Sequence, residues 1–259
     1  MTHYEIFRSC FPALRLSGEQ YAQLAREQDC RVFDRPEGFA LVKGNELRLI
    51  CVLPGGRGKG VGGALLAEAE EYARGQGFTR LEAGGSGSEL FIGVPEDQCG
   101  FFERRGYSFG GLVAEMSGGS ELRLNDLPRS GAEFRLVSGS DSRVLEAVRS
   151  VDADWAQYFP GTETLCAFVG GGIASFCILG TDELCILSGC GRMGSVGCVG
   201  TVPAYRRRGI GLEMVADGSR RLLERCCERI FIHYTAVYDW YAGLGYRTEL
   251  MLRLGGKEL

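Results

Sequence analysis

The chain has 259 residues, of which 45% are hydrophobic and 24% charged, with a formal net charge of −4. That length suits one large domain or two of ordinary size, and the apolar share supplies cores and argues against wholesale disorder. The acidic balance argues against a general nucleic-acid binder, and the lack of an apolar run of about 18 residues leaves no predicted membrane span. In chain order, the opening "MTHYEIFRSCFPALRL" reads directly as a helix and lacks the basic and apolar regions of a secretory leader. A strand-like run follows at 46–54, "ELRLICVLP". A glycine turn then leads into a helix at 62–77, where Leu65, Leu66, Ala69, Tyr72 and Ala73 recur at three- and four-residue steps. After the short strand "TRLEAG", the segment "GGSGSELFIGVPEDQ" reads as a loop with a short strand, and "GFFERRGY" (100–107) as a helix with an aromatic-ended turn.

Pro, Ser and Gly then interrupt two strand-like runs near 125–134, which places a boundary between domains 1–127 and 128–259. The second half starts with the strand "EFRLVSG" and the helical "SRVLEAVRSVDADW". It then repeats the plan of the first: strand "SVGCVGTVP" (195–203), glycine turn, helix (211–226), strand "RIFIHYT", helix and turn "DWYAGLGY" (239–246) and a last strand "YRTELMLRL". From turn to aromatic the first copy is ten residues longer, Arg57 to Phe102 against Arg206 to Tyr241. Strand–helix–strand alternation with short connections predicts an α/β sheet with parallel members, twice.

The two glycine turns carry the chemistry. A helix start leaves about four backbone N–H groups without partners and carries roughly half a positive charge. Glycines let that backbone approach a ligand, and flanking arginines add charge and forked donors. "GGRGKGVGG" and "YRRRGIG" therefore predict sites for an anion, with phosphate or pyrophosphate the usual occupant. Surface arginine at a strand–turn–helix joint also serves chain geometry alone in many folds. Neither turn has the G-x-x-x-x-G-K-[ST] pattern of a P-loop.

Both turns resemble the acyl-CoA-binding motif of the Gcn5-related N-acetyltransferase (GNAT) superfamily, Q/R-x-x-G-x-G/A behind a strand often ending in Val-x-Pro. The first copy has Arg57-Gly-Lys-Gly60-Val-Gly62 behind Val52-Leu-Pro54, and the second has Arg206-Arg-Arg-Gly209-Ile-Gly211 behind Val202-Pro203. "GFFERRGY" and "DWYAGLGY" resemble the next motif, L-Y-x-x-x-G-F/Y. The resemblance implies two tandem GNAT-type folds, each a twisted, mostly antiparallel sheet with a splayed parallel strand pair, flanked by helices. It implies acetyl-CoA as co-substrate, held by Val202, Arg206, Arg207, Arg208, Gly209, Ile210, Gly211 and Leu212 in the second half. In the first half it implies Val52, Arg57, Gly58, Lys59, Gly60, Val61, Gly62 and Gly63.

The general acid of many family members is the Tyr of the second motif. Tyr241 stands at that place in the second half, with Tyr238 as its substitute, whereas the first half has Phe102, which has no proton to give. The resemblance therefore implies a catalytic C-terminal domain and a non-catalytic N-terminal one able to hold CoA. Asp239 caps or orients. His233, Asp152, Asp154 and Trp155, with Tyr158 and Phe159, are candidates for the acceptor side, as ammonium partners or a sugar face, and each equally suits a structural role.

The expected activity is N-acetylation of a primary amine on a small molecule, an amino sugar being favoured over amino acids, polyamines and peptide N-termini. The rival reading is a CoA-binding regulatory protein without turnover. Eleven scattered cysteines without a CxxC pair predict reduced thiols in a cytoplasmic protein. The only histidines are His3 and His233, so no metal site is expected, and neither nucleic acid nor membrane is an expected partner.

Overall fold

The computed structural model describes residues 1–85 and 90–259. The chain forms two compact units, each discontinuous in sequence: Met1–Ala114 with Leu184–Cys190 and Leu250–Leu259, and Glu115–Glu183 with Gly191–Glu249.

The first unit opens with α1 (His3–Cys10) and α2 (Gly18–Ala25). Both start in reciprocal capping boxes, Thr2 with Glu5 and Ser17 with Gln20, which satisfy first-turn N–H groups that helices this short could not otherwise spare. The antiparallel strands β1 (Arg31–Arg35), β2 (Gly38–Lys43) and β3 (Glu46–Val52) follow, then α3 (Val61–Gly75) and β4 (Arg80–Ala83). In α3, Leu65, Leu66, Ala69 and Ala73 are buried against Val42, Leu47, Leu81 and Ala83 of the sheet. A helix of that length is marginal alone, and burying each such Leu contributes about 1.5–3 kcal/mol.

The strand β4 runs parallel to β3 only at Glu46↔Glu82 and Leu47↔Ala83, beyond which the two part. The additional residues of the first copy explain what happens next. β4 pairs with Gly256–Glu258 of the last strand, β12 (Arg247–Glu258), and β5 (Val94–Pro95) pairs with Leu252 and Arg253 of that same strand. The chain thus leaves β12 after β4 and returns to it as β5; the glycine-rich residues 86–89 lie outside the described residues. Gly84 makes the exit possible, with φ +126 and its Cα so close to the Ile92 carbonyl that a Cβ would sit 2.4 Å from that oxygen. The helix α4 (Cys99–Glu103) and the start of β6 (Ser108–Gly118) complete this unit.

The second unit has one more leading strand. β7 (Glu133–Ser138), β8 (Glu163–Val169), β9 (Gly172–Thr181) and β10 (Met193–Thr201) pair antiparallel in turn. α5 (Ser142–Arg149) packs Val144 and Val148 against Phe159 and Phe176. α6 (Ile210–Glu224) precedes β11 (Arg229–Thr235), and α7 (Tyr238–Ala242) leads to β12. β11 is parallel to β10 over Met193↔Arg229 to Ser195↔Phe231 only, so this unit too has a parallel pair that opens. Each unit therefore has a mixed sheet flanked by helices, with a splayed parallel pair, as the sequence resemblance implies.

Four hairpin strands escape the sequence reading, β1, β2, β8 and β9. β1 and β2 lie in "RVFDRPEGFALVK", where alternation is weak because all of Gly38–Val42 is buried. β8 is buried from Thr164 to Phe168 and likewise lacks a polar face.

Candidate active site

The glycine turns form alike in both units. The strand ends, one 3-10 turn follows (Pro54–Gly56 or Pro203–Tyr205), and the chain enters α3 through Gly60 at φ +86 or α6 through Gly209 at φ +78. Neither helix start has a side-chain cap. A Cβ on Gly60 or Gly209 would meet nothing within 4 Å, so the glycines face open space and are required by dihedral angle, not by crowding.

The arginines divide their work. Arg57 Nε donates to the Val52 carbonyl at 3.1 Å, and Arg206 Nε donates to the Thr201 carbonyl at 3.0 Å, which ties each loop to the end of its strand. Arg208 Nη2 donates to the Ala204 carbonyl and its guanidinium lies 5.4 Å from the Tyr205 ring. Arg207 occupies the loop place of Gly58 and has the same left-handed backbone, φ +61 against +75. For a side chain with a Cβ that conformation costs on the order of 1–2 kcal/mol. Arg57, Lys59, Arg206, Arg207 and Arg208 are all exposed at the turns, while Ile210 is buried and Val52, Val61, Gly62, Gly63, Val202, Gly211 and Leu212 are half-buried. Each turn sets the backbone N–H groups of a helix N-terminus beside exposed cationic side chains.

The aromatic turns repeat as closely. Phe102 packs edge-on to Tyr107 at 5.3 Å and to Phe101 at 5.0 Å. Tyr241 packs edge-on to Tyr246 at 5.9 Å and to Trp240 at 4.8 Å. The preceding ring covers the first turn of the glycine-loop helix in both: a Cβ on Gly62 would lie 3.2 Å from Phe101, and one on Gly211 would lie 3.6 Å from Trp240. Phe102 and Tyr241 are therefore equivalent in space, and the difference between them is a hydroxyl. Burial pushes the Tyr241 phenol above its usual range, with Cys177 and Cys198 adding to the shift, so the group is a neutral O–H at any physiological pH. Tyr238 is half-buried one turn earlier and Asp239 is exposed in the first turn of α7.

The acceptor-side candidates separate. Asp152 Oδ1 accepts from the Asp154 N–H at 2.9 Å and so shapes the turn after α5, while Asp154 itself is exposed. Trp155 packs against the Val144–Phe159 cluster and Phe159 is fully buried, which gives both a core role; Tyr158 is exposed. His233 lies on β11, two residues past the last β10–β11 pair, where the strands part.

Three residues at this opening went unread in the sequence. Glu115 of β6 is 1% exposed, and its Oε2 accepts from His233 Nδ1 and from the Tyr234 N–H, each at 3.0 Å. Tyr234 has φ +26, and Cys198, in the β10 irregularity between Gly197 and Gly200, has φ +48. Such backbone in non-glycine residues costs about 1–3 kcal/mol and persists where the surroundings over-determine it, commonly at functional sites. A lone acid in the apolar run "LVAEM" was the one available signal for Glu115. Among the described residues no group of three or more His, Cys, Asp or Glu could hold a metal ion, and no helix is long and apolar enough to cross a membrane.

Each unit has an opened parallel strand pair and a cationic glycine turn at an uncapped helix start. Residues 2–107 match the model of the Acetyltransferase (GNAT) family. No curated protein sequence matches it closely enough to count as a relative.

Solved structures share the fold. A GCN5-related glucosamine N-acetyltransferase region of a fungal multi-domain GH3 β-N-acetylglucosaminidase superposes with a TM-score of 0.78 at 21% identity over 97% of this chain. This chain spans 36% of that one's length. A GCN5-related N-acetyltransferase from Sphaerobacter thermophilus gives 0.70 at 19% identity, over 98% of this chain and 90% of that one. A tandem GNAT protein from the clavulanic acid biosynthesis pathway gives 0.58 at 16% identity, over 88% of this chain and 81% of that one.

Proposed function

We propose that the second unit transfers an acetyl group from acetyl-CoA to the primary amine of a small molecule, and that the first unit holds CoA without turnover. The functional halves would be residues 1–127 and 128–259. The observation that carries the assignment is the spatial match of Phe102 with Tyr241: two aromatic turns of one geometry, of which one has a proton donor. The family match falls on the first half, residues 2–107.

In this reading the turn at Arg206–Leu212 receives the pyrophosphate, with Val202 at the end of the strand beside the pantetheine arm, and the opening between β10 and β11 admits the thioester. Val52 and Arg57–Gly63 offer the first unit the same kind of site. Tyr241 hydrogen-bonds the departing sulfur and supplies its proton as charge builds there. An amino sugar is the favoured acceptor. Support comes from the glucosamine acetyltransferase region that the chain resembles in fold and from the exposed ring of Tyr158.

The test is acetyl-CoA consumption, read as free thiol, over glucosamine, amino acids, polyamines and a peptide N-terminus. Release with glucosamine above the others supports the reading. Binding of acetyl-CoA with no release on any amine leaves the regulatory alternative instead.

A further inference from the structure

A cysteine reacts as its thiolate, so it matters chemically where its surroundings favour the anion and solvent reaches the sulfur. Two thiols of the first unit meet under such conditions. Cys10 ends α1 and is half-buried, while Cys51, next to last in β3, is 1% exposed. Cys10 Sγ donates to the Val52 carbonyl at 3.3 Å, and Arg57 Nε donates to the same oxygen at 3.1 Å. That carbonyl belongs to the residue after Cys51, so the end of α1 is held where the second thiol sits. The two thiols hydrogen-bond to each other, and Arg57 also hydrogen-bonds to Cys10.

These contacts divide the roles. The hydrogen bond from Cys51 acts most strongly on Cys10 and lowers its pKa; burial opposes it, and the Arg57 guanidinium adds to the lowering. The net shift is downward. Burial raises the Cys51 thiol, and the contact with Cys10 raises it further. The proton therefore stays on Cys51, and the thiolate forms on Cys10, the sulfur that solvent reaches. Cys99, Cys166, Cys177, Cys198 and Cys227 move the opposite way from Cys10, because burial pushes each of them up.

We propose that Cys10 is a site of reversible oxidation by hydrogen peroxide, and that Cys51 resolves it to a disulfide joining α1 to β3. The inference is independent of the acetyltransferase reading. The Cys10 thiolate attacks one peroxide oxygen: an S–O bond forms, the O–O bond breaks, and the departing hydroxide leaves as water with the proton the thiol gave up. The Cys51 sulfur then attacks the sulfenic sulfur. An S–S bond forms, the S–O bond breaks, and the leaving hydroxide takes the Cys51 proton. Two thiols and one peroxide give one disulfide and two waters; the sulfurs lose two electrons and the peroxide gains them. Sulfurs already in hydrogen-bond contact need only a short approach to reach the roughly 2 Å of a disulfide. A neighbouring thiol also condenses with the sulfenic acid and so protects Cys10 from the irreversible higher oxidation states. The bond takes the Cys10 S–H from the Val52 carbonyl and leaves Arg57 on it, so the staple closes at the base of the first glycine turn.

The experiment treats the full, reduced chain with an equivalent of hydrogen peroxide, alkylates the remaining thiols under denaturing conditions and maps the tryptic peptides. We expect peptide 9–15 joined to peptide 49–57, and the two separated again by dithiothreitol. In Cys51→Ser, Cys10 should stop at the sulfenic acid and be trapped by dimedone on peptide 9–15. In Cys10→Ser, peroxide should consume Cys51 about tenfold more slowly than it consumes the wild-type pair. A wild type in which both peptides stay alkylated while exposed Cys190 or Cys226 is oxidised overturns the proposal. So does Cys10 joined to any other cysteine, or a wild-type sulfenic acid on Cys10 that Cys51 does not resolve. The wild-type peptide map needs no substitution, so it decides alone if either variant fails to fold.

Discussion

One oxygen atom separates the two aromatic turns. Removing it from Tyr241 tests its role with the ring and its packing kept. In Tyr241→Phe we expect kcat to fall by roughly 10–10³-fold with KM for acetyl-CoA little changed, measured by steady-state thiol release. The raised phenol pKa makes Tyr241 a reluctant acid that water can partly replace, which keeps the expected loss at the lower end of general-acid effects. The glycines of the turns make a second residue-scale test. Gly209→Ala puts a methyl group into open space at φ +78, so folding should lose about 1 kcal/mol to backbone strain alone. Acetyl-CoA affinity, read by calorimetry with the first-unit turn disabled, should fall by roughly tenfold or more, because the backbone can no longer approach the ligand. Equal affinity would remove the pyrophosphate from this turn.

Among the elements, α1 is held by a titratable clamp. His3 Nδ1 meets Glu27 at 2.7 Å and Nε2 meets Asp34 of β1 at 2.6 Å, while the ring stacks on Phe39 at 4.3 Å. Burial pulls the His3 pKa down, but the hydrogen bonds and charges of Glu27 and Asp34 outweigh it, and the net shift is upward. A folded-state pKa above the unfolded value of about 6.5 means that this stabilisation is complete below that pH and fades as pH rises through the folded value. Hydrogen exchange of the α1 amides should therefore be slower at pH 6 than expected from its alkaline behaviour, and His3→Asn should flatten the difference. An unaltered pH dependence in that variant would show that the clamp does not hold the helix.

For the molecule as a whole, the two units are each made of segments far apart in the chain. The first unit takes Leu250–Leu259, where Gly256, Lys257 and Glu258 pair with β4 and Lys257 Nζ meets Glu70 of α3 at 2.9 Å. A fragment of residues 1–127 lacks that strand and leaves the edges of β4 and β5 unpaired. We expect it, and a chain cut after Glu249, to lose cooperative unfolding of the first unit, seen as a shallower urea transition. A sharp, wild-type-like transition in the 1–127 fragment would show that the strand is dispensable.

The sequence by itself determined what depends on neighbours in the chain. Both glycine turns, the helices after them, the opening strands β3 and β10, and the pairing of Tyr241 with Phe102 were legible because backbone dihedral limits and a 3.6-residue period act within a few residues. Each glycine turn is one such local object. The tertiary structure alone decided what brings distant residues together. Glu115 meets His233 across 118 positions of sequence, and no local pattern marks that meeting. The left-handed backbone at Cys198 and Tyr234 arises where a parallel pair opens, a condition set by the sheet and not by either residue's preference. Trp155 and Phe159 looked suited to a sugar face, yet packing against α5 claims them for the core, because an aromatic side chain near an apolar cluster gains more from burial than from solvent. The return of β12 to the first unit is a sheet-edge requirement of the same kind: backbone groups of β4 and β5 need partners, and the chain supplies them from its last residues.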